Sequence, residues 1–487
     1  MCPSAAGRVE LATTERLAPP STQSCAATER EVIIATYHFF PSLEVGGKRM
    51  TALAEHLKQC GYPVVVVSAF EGLAASGDED TRWQRLQGYH LERVVERRTP
   101  ALDLLVRGKS LLRRLLRGRR SVASSTDGGA DLAEGATPAA RTAPLHRALF
   151  AVLHTIDDKK RWAIDARRSI VARAKQSAAS VIIVSAPPMS VLFGAVSAAR
   201  RVRLPVIIDL RDPLYLDGSS KGWAARWRER WAPQLLERYV MRRADAVVTT
   251  SPSLQELLCA RYPAARDRIY CVQNGFDGSA RSPRSDTGHR LVIVYAGALY
   301  LNRNPFPLLE ALDDLLHQPG IDASRIEFIL AGECERYGGV SLADWLAPRL
   351  CGRVVTIERR LDTDALQRLY ERATLLVNFA EGQRTQVPAK TFEILALGRE
   401  VLVLCEPDSD TARIVTGLAG VTTARSSGES LRATLHDLYQ RHAVEGRLRA
   451  PTPEVVARFA RSTQNERFRE LIQHITGGTV TPPLDPQ

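Results

Sequence analysis

Residues 31–68 read EVIIATYHFFPSLEVGGKRMTALAEHLKQCGYPVVVVS. A short apolar run, Val32 to Thr36, ends in a turn bounded by Pro41 and Gly46-Gly47. Met50, Leu53, Ala54 and Leu57 then fall at i, i+3, i+4 and i+7, the spacing of an amphipathic helix. Gly61 stops that helix. Val64 to Val67 is a β-branched run of the kind that fills a buried parallel strand. The whole is a βαβ unit whose first turn is glycine-rich.

The same alternation continues outward. Val181 to Val184, Val206 to Asp209, Ala246 to Thr250 and Ile269 to Val272 read as strands, with helical segments between them. A second set runs through Leu291 to Ala296, Ile326 to Ala331, Val354 to Ile357, Leu375 to Phe379 and Val401 to Leu404. Strands that alternate with helices predict parallel sheets covered on both faces. The polar, turn-rich segment GSARSPRSDTG, residues 278–288, separates the two sets. The expected fold is therefore α/β, with two Rossmann-like doubly wound domains facing a cleft. The domains are placed at residues 31–280 and 288–450, with a final segment at 451–476. Tails cover residues 1–30 and 477–487, and the unpatterned Ala/Gly/Ser/Thr-rich stretch at about 118–145 reads as a flexible insertion.

Bulk properties agree with a globular chain. Of 487 residues, 45% are hydrophobic and 25% charged, so both halves can bury a core. The net charge of +12 favours anionic partners. Nucleic acid is set aside, because the basic residues are scattered and no recognition motif is present. The excess is mostly arginine, and beyond Gly222 the only lysine is Lys390. Eight cysteines show no CxxC pair and no accompanying histidine cluster, which reads as reduced thiols in a cytoplasmic protein. Met1 to Arg30 lacks the apolar core of a signal peptide. Ser180 to Ala199 is uncharged over the length of a membrane span, but Pro187-Pro188 divides it into strand, turn and helix.

Six motifs sit where chemistry is expected, at the carboxyl ends of strands. Gly46-Gly47 lets a ligand approach the backbone beside a helix N-terminus, although a lone GG is also an ordinary loop. SAPP (Ser185–Pro188) and DLRDP (Asp209–Pro213) follow two strands, and Asp209, Arg211 and Asp212 bring three charges to the mouth of the cleft. The bland reading of those charges is a local ion pair. NGFD (Asn274–Asp277) is a turn signal. GALYLNR (Gly297–Arg303) offers a glycine turn and an arginine suited to bidentate phosphate contacts. In QVPAKTFEILALG (Gln386–Gly398), Lys390 and Glu393 lie one helical turn apart. Together they can grip a phosphate and a ribose diol, or form a weak surface pair.

In their order and spacing these motifs resemble family 4 of the glycosyltransferases, the retaining GT-B enzymes, and within it the exopolysaccharide-type branch. The resemblance covers about residues 31–476. It implies a GT-B fold whose last helix, from about Pro453 to Ile475, crosses back to the first domain. It implies a nucleotide-sugar donor held in the C-terminal domain by Gly297, Arg303, Lys390 and Glu393, with Gly46 and Gly47 approaching the phosphate or sugar. Asp209, Arg211 and Asp212 would line the catalytic, acceptor-facing side. The implied activity is hexosyl transfer (EC 2.4) to a lipid-linked or growing polysaccharide, with retention, without a metal and without a cofactor. One departure stands out. The family's usual E-x7-E pattern would put its first glutamate at position 385, which is Thr385. That keeps a non-catalytic nucleotide-sugar-binding homologue open, and a nucleotide-sugar 2-epimerase, an enzyme class with the same two-domain fold, is a further alternative.

Two segments suggest contact with an anionic membrane surface. Leu102 to Arg120 mixes leucines with arginines, as in a basic amphipathic helix. Trp223, Trp227 and Trp231 recur every four residues among Arg226, Arg228 and Arg230. The expected location is cytoplasmic, peripheral at the inner face of the membrane.

Overall fold

The computed structural model describes residues 30–40, 42, 45–69, 90–94, 156–215, 226–283, 288–426 and 428–477. The tails, the insertion at 118–145, the Leu102–Arg120 segment and Trp223 lie outside the described residues.

The first lobe opens with β1 (Glu31–Thr36), α1 (Val45–Gln59), β2 (Val64–Ala69) and β3 (His90–Val94). It continues with α2 (Lys160–Gln176), β4 (Ala179–Ala186), α3 (Ser190–Val202) and β5 (Val206–Leu210). Then come α4 (Ala232–Met241), β6 (Ala246–Thr249), α5 (Pro252–Arg261) and β7 (Ile269–Cys271). All seven strands are parallel, in the order β3-β2-β1-β4-β5-β6-β7. The strand order reverses between β1 and β4, so a crevice opens outside their carboxyl ends.

The second lobe holds β8 (Leu291–Ala296), α6 (Phe306–Leu316), β9 (Ile326–Ala331) and a small antiparallel hairpin, β10 (Arg336–Tyr337) with β11 (Val340–Ser341). It continues through β12 (Val355–Glu358), α7 (Thr363–Arg372), β13 (Leu375–Phe379), α8 (Ala389–Leu395) and β14 (Glu400–Leu404). It closes with α9 (Asp410–Val415), β15 (Val421–Ala424) and α10 (Glu429–Tyr439). Its six-stranded sheet runs β12-β9-β8-β13-β14-β15, again parallel, with the reversal between β8 and β13.

Alternation along the strands builds a core on each face of each sheet. Ile33 and Ala35 point into one cluster, Val32 and Ile34 into the other. In the second lobe Leu291, Ile293 and Tyr295 separate from Val292, Val294 and Ala296 in the same way. Each such aliphatic side chain, when fully buried, contributes about 1.5–3 kcal/mol of hydrophobic stabilisation.

The last helix, α11 (Arg461–Ile475), returns to the first lobe. Phe468, Leu471 and Ile472 are buried there beside Met50, Leu53 and Leu57 of α1. The sequence predicts one helix from about Pro453, and the structure breaks it. A short helix, Pro453–Val456, is followed by a 3-10 turn, Ala457–Phe459, and Ala460 is extended. Val456 and Phe459 stay in the second lobe's core, so the break is where the chain changes lobes.

The forward crossing lies beside it. Phe276 of NGFD is buried in the second lobe's core and bridges Ala460. Arg461 Nε donates to Asp277 at 2.6 Å and its Nη2 to the Gly275 carbonyl at 2.8 Å. The lobe boundary thus falls at Gly275–Phe276, ahead of the polar 278–288 segment, because Phe276 finds its apolar partners on the far side. NGFD is the seam where two crossing strands of chain are laced together.

Two edge strands, β3 and β15, were not expected from sequence. Their sequences, HLERV and VTTA, are short and mixed in polarity. An edge strand pairs on one side only and tolerates that composition.

Candidate active site

The two crevices face each other across the lobes. On the first lobe, Gly46 and Gly47 are buried in the first turn of α1, the helix that follows β1. A side chain at Gly46 would overlap the guanidinium of Arg211 and have to displace it. Arg211 is itself fixed by donating to the carbonyls of Ala186, at 3.2 Å, and Pro187, at 2.7 Å. Gly46-Gly47, SAPP and DLRDP therefore converge on one point.

Asp209 is not at the mouth of the cleft. It is fully buried at the end of β5. Arg49 Nη2 donates to it at 3.0 Å and Ser185 Oγ at 2.7 Å. Arg49 also donates to the carbonyls of Val272, at 2.9 Å, and Gln273, at 2.8 Å. The local ion pair foreseen as the bland alternative is what Asp209 forms, with a partner 160 residues away on α1. Asp209 thus lies behind the DLRDP turn, tied to Arg49 and Ser185.

Asp212 does reach the gap. Its Oδ1 accepts from Gln386 Nε2 of the second lobe at 2.6 Å. Burial pushes its carboxyl above the ordinary aspartate range, and Arg211 and the Gln386 bond oppose that rise. The contact belongs to a row that closes one side of the cleft. Ser251 Oγ donates to the Thr385 carbonyl at 2.6 Å, Ser253 Oγ to Asp410 at 2.7 Å, and Arg413 pairs with Glu256 at 2.5 Å. Thr385 therefore sits in a loop docked on the first lobe through its backbone. Nearby Glu381 is occupied, accepting from the Ser426 amide at 2.7 Å.

On the second lobe, Lys390 and Gly297 meet at the switch point between β8 and β13. A Cβ on Gly297 would stand 2.8 Å from the Lys390 ammonium and 2.9 Å from the Tyr295 hydroxyl. The ammonium lies 5.5 Å from the centre of the Tyr295 ring. Lys390 is half-buried and has no hydrogen-bond or ion-pair partner among the described residues. Its pKa is lowered, chiefly by burial. Glu393 opposes the shift, while the charges of Arg303 and Lys48 add to it.

Arg303 reaches the same place over the Tyr300 ring, 4.4 Å from its centre, and touches the Ala298 carbonyl at 3.4 Å. Glu393 is exposed one turn beyond Lys390. Of the expected residues, Gly297, Arg303, Lys390 and Glu393 are together in the second lobe, and Gly46, Gly47 and Arg211 are together in the first.

Lys48 was missed from sequence. It is exposed in the first turn of α1 and its charge is felt at Lys390. The signal available was its place immediately after the glycine pair. Three cations from two lobes thus converge with one flanking carboxylate. Such a group can hold a multiply charged anion.

Comparison with known proteins agrees with this architecture. The profile of the family described as Glycosyltransferase Family 4 matches residues 122–280. No curated protein sequence matches the chain. Among solved structures, a glycosyltransferase from Rickettsia africae superposes with a TM-score of 0.55 at 10% identity, over 93% of this chain and 100% of that one. Anabaena HepE in complex with UDP gives 0.55 at 13% identity, over 91% and 100%. The same Anabaena protein with UDP-glucose gives 0.52 at 13% identity, over 91% and 99%. At these identities the likeness establishes the fold, which is the GT-B arrangement of two facing Rossmann-like lobes.

Proposed function

We propose that the chain is a family 4 glycosyltransferase that takes a hexosyl group from a nucleotide sugar and passes it to a hydroxyl acceptor. The single observation carrying this reading is Lys390, a half-buried lysine with no hydrogen-bond or ion-pair partner among the described residues, flanked by Gly297 and Arg303, with Lys48 of the opposite lobe close enough for its charge to act on it. The match to the family profile and the fold shared with structures that carry UDP and UDP-glucose support it.

In this reading the donor's diphosphate lies against Lys390 and Arg303, and Glu393 takes the ribose hydroxyls. As the sugar leaves with oxocarbenium character, negative charge grows on the departing diphosphate. Lys390, Arg303 and the amides at Gly46-Gly47 stabilise that charge, which is the work a divalent ion performs elsewhere. The acceptor hydroxyl attacks on the same face, with retention, and the leaving phosphate takes its proton. Arg211 and Asp212 line the acceptor side, while Asp209 acts only through Arg49 and Ser185 to hold them. No cofactor takes part.

A panel of nucleotide sugars, incubated with oligosaccharide and lipid-linked acceptors, tests the reading. The expected result is release of nucleoside diphosphate from one donor that depends on acceptor. Release of a 2-epimerised donor without acceptor, or binding without any turnover, would refute transfer.

The lipid-linked acceptor and the peripheral location belong to the same proposal. Trp231, Leu235, Arg238 and Arg242 lie along one exposed face of the segment leading into and through α4, at roughly helical spacing. Beside them Phe193 of α3 stacks on Tyr239 at 5.2 Å. Phe193, Leu235 and Trp231 are 53%, 54% and 42% exposed, too much for core residues. Among the described residues no helix is long and apolar enough to cross a membrane. An apolar patch rimmed by arginine suits the surface of an anionic bilayer at the cytoplasmic, inner face. Trp231→Ser with Leu235→Ser is expected to cut co-sedimentation with anionic vesicles several-fold and leave binding to neutral vesicles unchanged. Equal co-sedimentation of the variant would reject this surface.

A further inference from the structure

Far from the cleft, α1 and α11 bring together a histidine, a cysteine and a carboxylate. His56 and Cys60 are one helical turn apart on α1, and Glu466 reaches them from the returning helix. Their ligand atoms all lie within 4.8 Å of one another. His56 Nε2 is 3.0 Å from Glu466 Oε2 and 3.8 Å from Cys60 Sγ.

We propose that His56, Cys60 and Glu466 form a three-ligand site for a zinc-class divalent cation. Tetrahedral zinc takes nitrogen and oxygen at about 2.0–2.2 Å and sulfur at about 2.3 Å. Those bond lengths set donor atoms roughly 3–4 Å apart, close to the spacing already present. An i, i+4 pair on one helix face is a bidentate arrangement that needs no backbone movement. A nitrogen, a thiolate and a carboxylate suit a borderline cation and disfavour magnesium or calcium, which prefer all-oxygen shells.

The surroundings fit as well. His56 is 18% and Glu466 40% exposed, so a fourth position is open to water. Arg469 holds Glu466 through Oε1, with Nε at 3.0 Å, which steadies the ligating carboxylate as outer partners do in metal sites. Arg469 also lies 2.9 Å from Oε2, so that oxygen keeps one lone pair for His56 or for a cation. The binding event is balanced: the cation enters, the His56–Glu466 hydrogen bond opens, and the Cys60 thiol gives its proton to solvent. The consequence is structural. The cation would tie α11 to the helix that carries Gly46, Gly47 and Lys48, and so brace the crossing of the lobes.

The experiment titrates the full chain, freed of metal, with zinc chloride and with magnesium chloride as a control. One zinc equivalent should bind, with a raised melting temperature, and Cys60→Ser and His56→Gln should each weaken it at least tenfold. Cobalt substitution gives a second readout, a thiolate-to-cobalt charge-transfer band that His56→Gln shifts and Cys60→Ser abolishes. No zinc binding would overturn the site and leave His56, Glu466 and Arg469 as an ion-pair latch. Binding that survives both substitutions would overturn it too, as would a cobalt spectrum without the thiolate band. Nucleotide-sugar transfer plays no part in any of these outcomes.

Discussion

Lys390→Met is expected to lose sugar transfer by about 10²–10³-fold, the usual effect of removing one preorganised contact to developing charge. Its melting temperature should meanwhile stay at or above that of the parent. Both halves follow from one fact. Lys390 is half-buried and has no hydrogen-bond or ion-pair partner among the described residues, so its ammonium has exchanged water for only the face of the Tyr295 ring, 5.5 Å away, and the charge of Glu393. Burial lowers its pKa below 10.5, with help from Arg303 and Lys48. Between that lowered value and 10.5 the unfolded chain binds more protons than the folded one, so stability rises with pH across this window. Below it, at neutral pH, the buried charge is a standing cost. Methionine fills the same volume without the charge, so the stabilising effect should be seen at pH 7 and shrink as pH nears 10.5. Thermal unfolding and turnover of the same preparation check both. A variant that unfolds early would point to a structural lysine, and one that keeps turnover would remove Lys390 from the chemistry.

The second large effect lies behind the site. Arg49 and Asp209 form an ion pair in which the two side chains are 5% and 0% exposed. Arg49→Met leaves the carboxylate buried with Ser185 as its remaining side-chain donor, and strips a cation from the carbonyls of Val272 and Gln273. Breaking one partner of a buried pair costs about 3–5 kcal/mol, because the charge left behind is uncompensated. Arg49→Met with Asp209→Leu removes both charges and should recover much of that loss. Urea unfolding of the two singles and the double, read as a mutant cycle, gives the coupling. Single variants that cost under about 1 kcal/mol would show that the pair is not the pin that holds DLRDP.

What could be read from sequence divides along a physical line. The buried strands were plain because β-branched runs have few other uses, and the placing of the motifs at the strands' carboxyl ends followed from that. Arg49 was not, although it falls four residues before Leu53 and so lies on the apolar side of α1. An arginine there has to find a buried acid, and Asp209 is that acid. Periodicity shows the face but not the partner. The same limit hid the seam, where Phe276, Phe459 and Arg461 meet across nearly two hundred residues of chain. The edge strands β3 and β15 were hidden for the opposite reason, since they are too polar and short to stand out. Thr385 marks a departure visible in sequence whose setting only the structure gives: its carbonyl accepts from Ser251 on the other lobe.

Isothermal titration of a set of nucleoside diphosphates against the parent chain and Lys390→Met tests the central claim most directly. One diphosphate should saturate the parent at a single site and bind Lys390→Met at least tenfold more weakly. Equal affinity for both proteins, or no binding of any diphosphate to the parent, would contradict it.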